Sequence, residues 1–141
     1  MGHCSSIALG IALAKPHRQV VCIDGDGAML MHLGSLTSIA TLKPKNFRHI
    51  LMNNEVHESV GGQKTAAKEL DMTAIVNSLG SSKIFSAETS ADLELKFIDF
   101  ISCPGPSFLE VKIRPGSREN LGRPTIKPVD NKENFMKFLE K

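Results

Sequence analysis

The chain has 141 residues, which is enough for one domain with a sizeable hydrophobic core but not for two. Lys and Arg number 17 and Asp and Glu 15, so the small net charge of +2 argues against a general nucleic-acid-binding surface. No apolar run approaches the roughly 18 residues that a membrane span needs, and the first residues lack the basic start of a secretory signal. We therefore expect a cytoplasmic protein with no membrane association.

The first two predicted elements are a helix and a buried strand. Small and apolar residues recur at helical spacing over residues 5–14, with Ser5 or Ser6 placed to cap the helix and Pro16 to end it. The run QVVCID, residues 19–24, is continuously apolar and β-branched, which is typical of a central strand in a parallel sheet.

A second helix and a second strand follow. Apolar residues recur every three or four positions over residues 28–42, which predicts one helix that Pro44 closes. Residues 48–52, RHILM, read as the next strand, and Gly61 and Gly62 favour a loop after it. Strand, helix and strand in this order form a βαβ unit.

The rest of the chain continues the alternation of helices and strands. Its patterns predict helices over 68–79 and 91–102 and strands over 83–87 and 107–113. Residues 114–131, rich in Gly, Pro and Arg, predict a loop or arm, and a terminal helix is expected within 132–141. We therefore predict one α/β domain, residues 1–141, with three α/β/α layers around a mainly parallel central sheet.

The stretch IDGDGAMLMH, residues 23–32, puts two acids and two glycines between a strand and a helix. A helix that starts at the carboxyl end of a parallel strand offers backbone N–H groups to a phosphate, and Gly25 and Gly27 would let the backbone approach it closely. Asp26 would repel that phosphate unless Mg²⁺ joined the two. A second oxygen ligand should come from NNEV, residues 53–56, because both loops follow neighbouring strands.

The GDG motif and the asparagine pair, separated by 25 residues, resemble the cofactor-anchoring motif of thiamine-diphosphate-dependent enzymes. The stretches MGHCSSIALG, GDGAMLMHLGSL, NNEVHESVGGQ and RPGSRENLGRP together are similar to the phosphonopyruvate decarboxylases and the sulfopyruvate decarboxylase β subunits. The resemblance implies the diphosphate-binding domain of that fold, with thiamine diphosphate and Mg²⁺ as cofactors. It implies three metal ligands, namely the side chains of Asp26 and Asn54 and the backbone carbonyl of Val56.

The same resemblance implies the other site residues. Those around the cofactor are Met1, Gly2, His3, Gly25, Asp26, Gly27, Ala28, Asn54 and Val56. Met1 matches the apolar residue that bends the cofactor, but an ordinary start methionine explains it equally well, and His3 either lies beside the pocket or caps the first helix. His57 and Glu58 follow the Asn54 loop closely and are candidates for proton transfer, the alternative being a solvated polar pair.

The implied reaction is the decarboxylation of a 2-oxo acid, either phosphonopyruvate to phosphonoacetaldehyde and CO₂ in phosphonate biosynthesis, or sulfopyruvate. The alternative is a cofactor-binding module without catalysis. In the family the activating glutamate belongs to a pyrimidine-binding domain or subunit, so the resemblance implies such a partner within a homo- or hetero-oligomer. Arg114, Arg118 and Arg123 either grip the phosphonate or sulfonate of the substrate or form a solvated basic arm.

No role in the site is predicted for the three cysteines or for His17, His32 and His49. The three cysteines, at positions 4, 22 and 103, lack CxxC spacing, so we expect reduced structural thiols. His32 is expected to pack within the fold, and His17 and His49 are expected at the surface.

Overall fold

The structure is a computed structural model that describes residues 1–80 and 83–140. Single 3₁₀ turns lie at Glu58–Val60 and Ala66–Lys68. In chain order the helices and strands are α1 (Cys4–Ala14), β1 (Val20–Gly25), α2 (Asp26–Met31), α3 (Ser35–Leu42), β2 (Phe47–Asn53), β3 (Val56–His57), β4 (Gln63–Lys64), α4 (Met72–Ser78), β5 (Lys83–Ala87), α5 (Ser90–Ser102), β6 (Ser107–Lys112) and α6 (Pro128–Glu140).

Four of the strands form a parallel sheet in the order β1-β2-β6-β5. Side chains alternate across it, so that Cys22, Leu51 and Phe108 join the core beneath α1, α3 and α4. Ile50 and Leu109 point the other way, into the smaller core beneath α5. Helices thus cover both faces, and the prediction of an α/β fold with a parallel central sheet between helical layers is confirmed.

The first βαβ unit brings two strand ends to one edge of the sheet. β1 and β2 are parallel neighbours in register, with Gly25 opposite Met52. Asp26 follows as the first residue of α2, as the sequence predicts. The loop that begins at Asn54 leaves β2 at the same level, so the two segments meet.

The helix predicted over 28–42 is two helices, α2 and α3, with a turn between them. His32 ends α2 in a non-helical conformation, and Ser35 and Leu36 donate to carbonyl groups three residues back, at His32 and Leu33. The His32 ring packs beside the ring of His3, the residue that precedes α1, with 4.3 Å between the centroids. The helical spacing of apolar residues continues through the break, so this tertiary contact outweighs the local sequence pattern. α2 has six residues, so its dipole is smaller than one long helix would provide.

Two predicted helix starts are also wrong. Neither Ser5 nor Ser6 caps α1, because α1 begins at Cys4 and the buried Ser5 hydroxyl lies 2.9 Å from that of Ser35. The helix predicted from 68 begins at Met72, because the carboxylate of Asp71 accepts the Ala74 N–H at 2.9 Å and caps it there. This hydrogen bond lowers the pKa of Asp71 below its usual range.

The carboxyl-terminal segment agrees with the predicted arm and helix, except that α6 begins at Pro128 rather than 132. Proline is favoured at the first position of a helix, where it has no N–H to leave unpaired. α6 contacts the body through Arg18, whose guanidinium lies 4.5 Å above the ring of Phe138 and donates to the Phe138 carbonyl. Position 141 lies outside the described residues. Among the described residues, no helix is both long enough and apolar enough to cross a membrane.

Candidate functional site

Asp26 lies at the carboxyl edge of the sheet and is almost completely buried, with 2% of its surface exposed. Its Oδ2 accepts a hydrogen bond from the hydroxyl of Thr65, which is also buried. Thr65 directly follows β4, at the end of the loop that leaves β2. A hydrogen bond to a carboxylate is among the stronger ones in proteins. The GDG segment and that loop are therefore joined through Asp26.

The two glycines of the GDG motif have different surroundings. A Cβ on Gly27 would lie 2.5 Å from Nδ1 and Cε1 of His57, so the imidazole packs directly on the backbone of α2. A Cβ on Gly25 would have no atom within 4 Å, so open space lies beside that residue. The lack of a side chain at Gly27 leaves room for the loop that contains His57. The lack of one at Gly25 leaves open space at the edge of the sheet.

Asn54 is oriented by its own loop. Its Oδ1 accepts the N–H of Val56 at 3.1 Å, and its Nδ2 donates to Oε2 of Glu58 at 2.9 Å. An amide oxygen has two lone pairs, so Oδ1 keeps one acceptor position beyond the loop. Both side-chain atoms of Asn54 are thus held in place by the segment that contains Val56.

The first asparagine of the pair has a different role. Asn53 is 1% exposed, and its Nδ2 donates to Oε1 of Glu110 at 2.6 Å. That oxygen also lies 2.8 Å from Nζ of Lys112. The Oδ1 of Asn53 accepts the N–H of Glu55, which has a left-handed φ of 61°. Asn53 therefore anchors the sharp turn by which the chain leaves β2.

His57 and Glu58, the predicted proton-transfer residues, differ in their contacts. His57 is half-buried against Gly27. Glu58 is exposed, and both its oxygens accept hydrogen bonds: Oε2 from Asn54, and Oε1 from the N–H of Gly116 at 2.7 Å. Glu58 thus connects the Asn54 loop to the arm after β6.

The first three residues lie along α2. Gly2 is buried with a φ of 81°, and a Cβ there would lie 2.5 Å from the His32 ring and 3.1 Å from the Ala28 carbonyl oxygen. The His3 side chain makes no cap bond to α1; its Nδ1 lies 3.0 Å from the Met1 carbonyl oxygen. The Met1 side chain is exposed. Residues 1–3 therefore flank the helix that Asp26 begins.

Two residues that contact the predicted site were missed in the sequence. Thr65 is a small polar residue in a polar loop, and nothing in its local pattern distinguishes it. Glu110 did carry a signal, because a charged residue interrupts the apolar strand SFLEVKI. A charge within a buried strand indicates a polar or charged partner, and here the partners are Asn53 and Lys112.

His49, predicted at the surface, is 2% exposed. It lies opposite Cys22 in the adjacent strand, and its ring packs edge-on against Phe47 and Phe108. Its Nε2 lies 3.7 Å from Oδ2 of Asp24, and neither atom has a hydrogen-bond partner among the described residues. The prediction is wrong because β2 is covered on both faces. His17 is exposed, as predicted.

The arm adjoins these contacts, whereas a wide apolar hollow lies apart from them. Arg114, Arg118 and Arg123 are exposed along the arm, which Glu58 fastens at Gly116. Their binding of substrate stays a prediction. A hollow of about 650 Å³ opens between the sheet and α5, with an almost wholly apolar lining. It offers no group suited to a diphosphate.

Comparison with known families identifies the type of domain that contains these polar residues. Residues 1–111 match the family described as "Thiamine pyrophosphate enzyme, C-terminal TPP binding domain". The chain belongs to this family. The match covers the whole sheet apart from the last residue of β6 and contains the GDG segment, the Asn54 loop and Thr65. The resemblance stated from the motifs is therefore confirmed, and so is a thiamine-pyrophosphate-binding domain.

Similar curated proteins narrow the relationship within the family. Phosphonopyruvate decarboxylases of Streptomyces viridochromogenes and Streptomyces hygroscopicus are 36% and 37% identical over 99% and 98% of this chain. The sulfopyruvate decarboxylase β subunit of Methanothermobacter thermautotrophicus is 36% identical over 99% of the chain and is covered over 70% of its own length. The chain spans about a third of the two Streptomyces proteins, 35% and 34% of their lengths.

Proposed function

We propose that the chain is the diphosphate- and magnesium-binding part of a thiamine-diphosphate-dependent 2-oxo acid decarboxylase. The substrate that we favour is phosphonopyruvate, converted to phosphonoacetaldehyde and CO₂ in phosphonate biosynthesis. The observation that carries the proposal is the hydrogen bond from Thr65 to Asp26. It joins the GDG segment to the end of the loop that contains Asn54 and Val56, and so supports a shared site for the predicted ligands.

The residues at this edge fit a magnesium diphosphate. Mg²⁺ prefers oxygen ligands, and Asp26, the Asn54 Oδ1 and the Val56 carbonyl would supply three. The open space beside Gly25 would admit the diphosphate, next to the backbone of Gly27 and Ala28. The thiamine diphosphate, when bound, supplies the electron sink that decarboxylation requires. This chain then contributes binding, orientation and a proton donor.

His57 is the candidate for proton transfer that the contacts favour. It packs on Gly27, next to the proposed ligands, whereas both oxygens of Glu58 are already hydrogen-bonded. In an assembled enzyme, His57→Ala should lower turnover at least tenfold and leave the affinity for thiamine diphosphate nearly unchanged. His17→Ala, at an exposed site, is the control. Unchanged turnover in His57→Ala would remove His57 from the mechanism.

The proposed site is half of a complete one. We propose that a pyrimidine-binding domain or subunit supplies the activating glutamate and that the working enzyme is a homo- or hetero-oligomer. The relative named a decarboxylase subunit β supports a separate partner chain. Co-expression with a candidate pyrimidine-binding partner, followed by co-purification and a CO₂-release assay, tests this. Activity of the chain by itself would contradict the half-site proposal.

Sulfopyruvate is the second candidate substrate, and the β-subunit relative favours it. The assembled enzyme should be assayed with both 2-oxo acids. The values of kcat/KM decide between them. Arg118→Ala should raise the KM for the preferred acid if the arm grips its anionic group, and Glu119→Ala is the matched control on the same exposed segment.

Calorimetry on the isolated chain separates the decarboxylase part from other nucleotide-binding α/β proteins. Thiamine diphosphate with Mg²⁺ should bind weakly, because the partner's contacts are missing, and should bind more tightly than NAD or ATP. Omission of Mg²⁺ should abolish the signal. A cofactor-binding module without catalysis would give the same binding but would release no CO₂ with any partner. Tighter binding of NAD or ATP than of thiamine diphosphate would contradict the proposal.

A further inference from the structure

Two cysteine thiols lie together at the start of the fold. The Sγ of Cys22 donates to the Sγ of Cys4, with 3.5 Å between the sulfur atoms. Cys4 is the first residue of α1 and is exposed, whereas Cys22 lies in β1 and is 1% exposed. The third cysteine, Cys103, follows α5, and its thiol points to the Phe100 carbonyl. One exposed and one buried thiol are therefore paired, and the third thiol contacts a different part of the chain.

We propose that Cys4 and Cys22 are an oxidant-sensitive pair, in which Cys4 reacts first with a peroxide and Cys22 then closes an intramolecular disulfide. This modification site joins α1 to β1. It does not rest on the cofactor site or on any reaction there.

The exposures of the two thiols decide their order of reaction. An oxidant in solution reaches Cys4, and it does not reach Cys22, which β1 and α1 enclose. Burial, together with the neighbouring Cys4 and Asp24, raises the pKa of the Cys22 thiol well above its usual range. Low thiolate content makes a thiol a poor first nucleophile. Cys22 is consequently the resolving thiol.

The two steps balance with one molecule of hydrogen peroxide. The Cys4 sulfur attacks one peroxide oxygen, the O–O bond breaks, and the products are a sulfenic acid on Cys4 and water. The Cys22 sulfur then attacks the Cys4 sulfur, the S–S bond forms and the S–O bond breaks. The hydroxide leaves with the Cys22 proton as a second water. The two thiols together lose two electrons and two protons.

The geometry requires only a small approach. A disulfide has sulfur atoms about 2.05 Å apart, so the 3.5 Å between Cys4 and Cys22 must shorten by about 1.5 Å. Rotation about the χ1 angles of the two side chains moves sulfur atoms over such distances. The Cys4 thiol, which also donates to the Ile23 carbonyl at 3.6 Å, would give up that weak contact when the disulfide forms.

The test uses the complete 141-residue chain with stoichiometric hydrogen peroxide, followed by unfolding and alkylation. The number of alkylated thiols should fall from three to one, and the mass of the oxidised chain should fall by two hydrogen atoms. Peptide mapping should find one linked pair, Cys4 with Cys22, and dithiothreitol should restore all three thiols. The rate should increase with pH, because Cys22 reacts as its thiolate.

Three variants make the result specific. Cys103→Ser should still form the link, leaving no free thiol. Cys4→Ala should give no link. Cys22→Ala should retain a sulfenic acid on Cys4 that dimedone captures. A link through Cys103, a disulfide between two chains, three free thiols after oxidation, or overoxidation of Cys4 without a link in the native sequence would each overturn the proposal.

Discussion

Two buried carboxylates, Asp24 and Asp26, are only two residues apart but belong to different regions of the molecule. Asp26 lies at the carboxyl edge of the sheet, accepts a hydrogen bond from Thr65 and adjoins the open space beside Gly25. Asp24 lies within β1, where its Oδ2 faces His49 at 3.7 Å without a hydrogen-bond partner among the described residues. The edge region adjoins open space, whereas the surroundings of Asp24 are closed.

The difference shows how two acids close together in the chain can have separate roles, one in stability and one in binding. A buried charge is tolerated only with a partner, which for Asp24 must come from the core itself. Asp26 has one internal partner and an accessible flank, and a cation there would compensate its charge. We therefore expect substitutions at Asp24 and its neighbour to change stability, and substitutions at Asp26 to change binding. The following predictions test that division, in order of decreasing effect.

The largest effect is expected from His49→Leu. This change removes the imidazole that lies 3.7 Å from the buried Oδ2 of Asp24, together with its edge-on contacts to Phe47 and Phe108. The loss of a buried polar neighbour and of two ring contacts should together cost about 3 kcal/mol. Urea unfolding followed by circular dichroism should show that decrease in the free energy of unfolding. His17→Leu, at an exposed histidine, should change it little. A loss below about 1 kcal/mol for His49→Leu would mean that the two side chains do not stabilise each other.

Asp26→Asn should mainly affect binding. The amide keeps an acceptor for the Thr65 hydroxyl but loses the charge that a cation needs, so Mg²⁺-dependent binding of thiamine diphosphate should weaken roughly a hundredfold, about 2.7 kcal/mol. The melting temperature of the metal-free chain should stay the same or rise, because a buried charge is removed. Calorimetry and thermal melting measure the two quantities, and Asp99→Asn on α5 is the control. Unaltered affinity would exclude Asp26 as a ligand.

Thr65→Val should have an intermediate effect on stability. Valine keeps the shape of the side chain but removes the hydroxyl, so the hydrogen bond to the Asp26 carboxylate is lost. A hydrogen bond to a charged acceptor is worth about 2 kcal/mol. Thr65→Ser retains the hydroxyl and should lose less than half as much. Urea unfolding compares the two variants. Equal losses would show that methyl packing, rather than the bond to Asp26, stabilises the loop.

The smallest effect is expected from Glu58→Ala. Glu58 is exposed, so the free energy of unfolding should fall by less than about 1 kcal/mol. The N–H of Gly116 loses its acceptor, however, and should exchange its hydrogen faster. Hydrogen-exchange mass spectrometry of the arm measures this, with Glu119→Ala as the control. Unchanged exchange at Gly116 would show that Glu58 does not fasten the arm.

The positions of the strands were predictable from short apolar runs, but their places in the sheet were not. The run at 19–24 was expected to be a central strand, whereas β1 is at the edge of the described sheet, with Val21 and Ile23 exposed. The strand predicted at 19–24 lies within one residue of β1, and that predicted at 83–87 coincides with β5. A local hydrogen bond likewise marks the start of α5, where Thr89 and Asp92 form a reciprocal cap. The position of Asp26 just past β1 follows from the same local information.

The sequence by itself determined the alternation of strands and helices, the parallel sheet and the motif that indicated the family, because local patterns and their spacing along the chain carry that information. Only the tertiary structure decided the break after His32, the burial of His49 and the bond from Thr65 to Asp26. Each of these depends on a neighbour distant in sequence. Periodicity and local motifs contain no information about which distant residue that neighbour is.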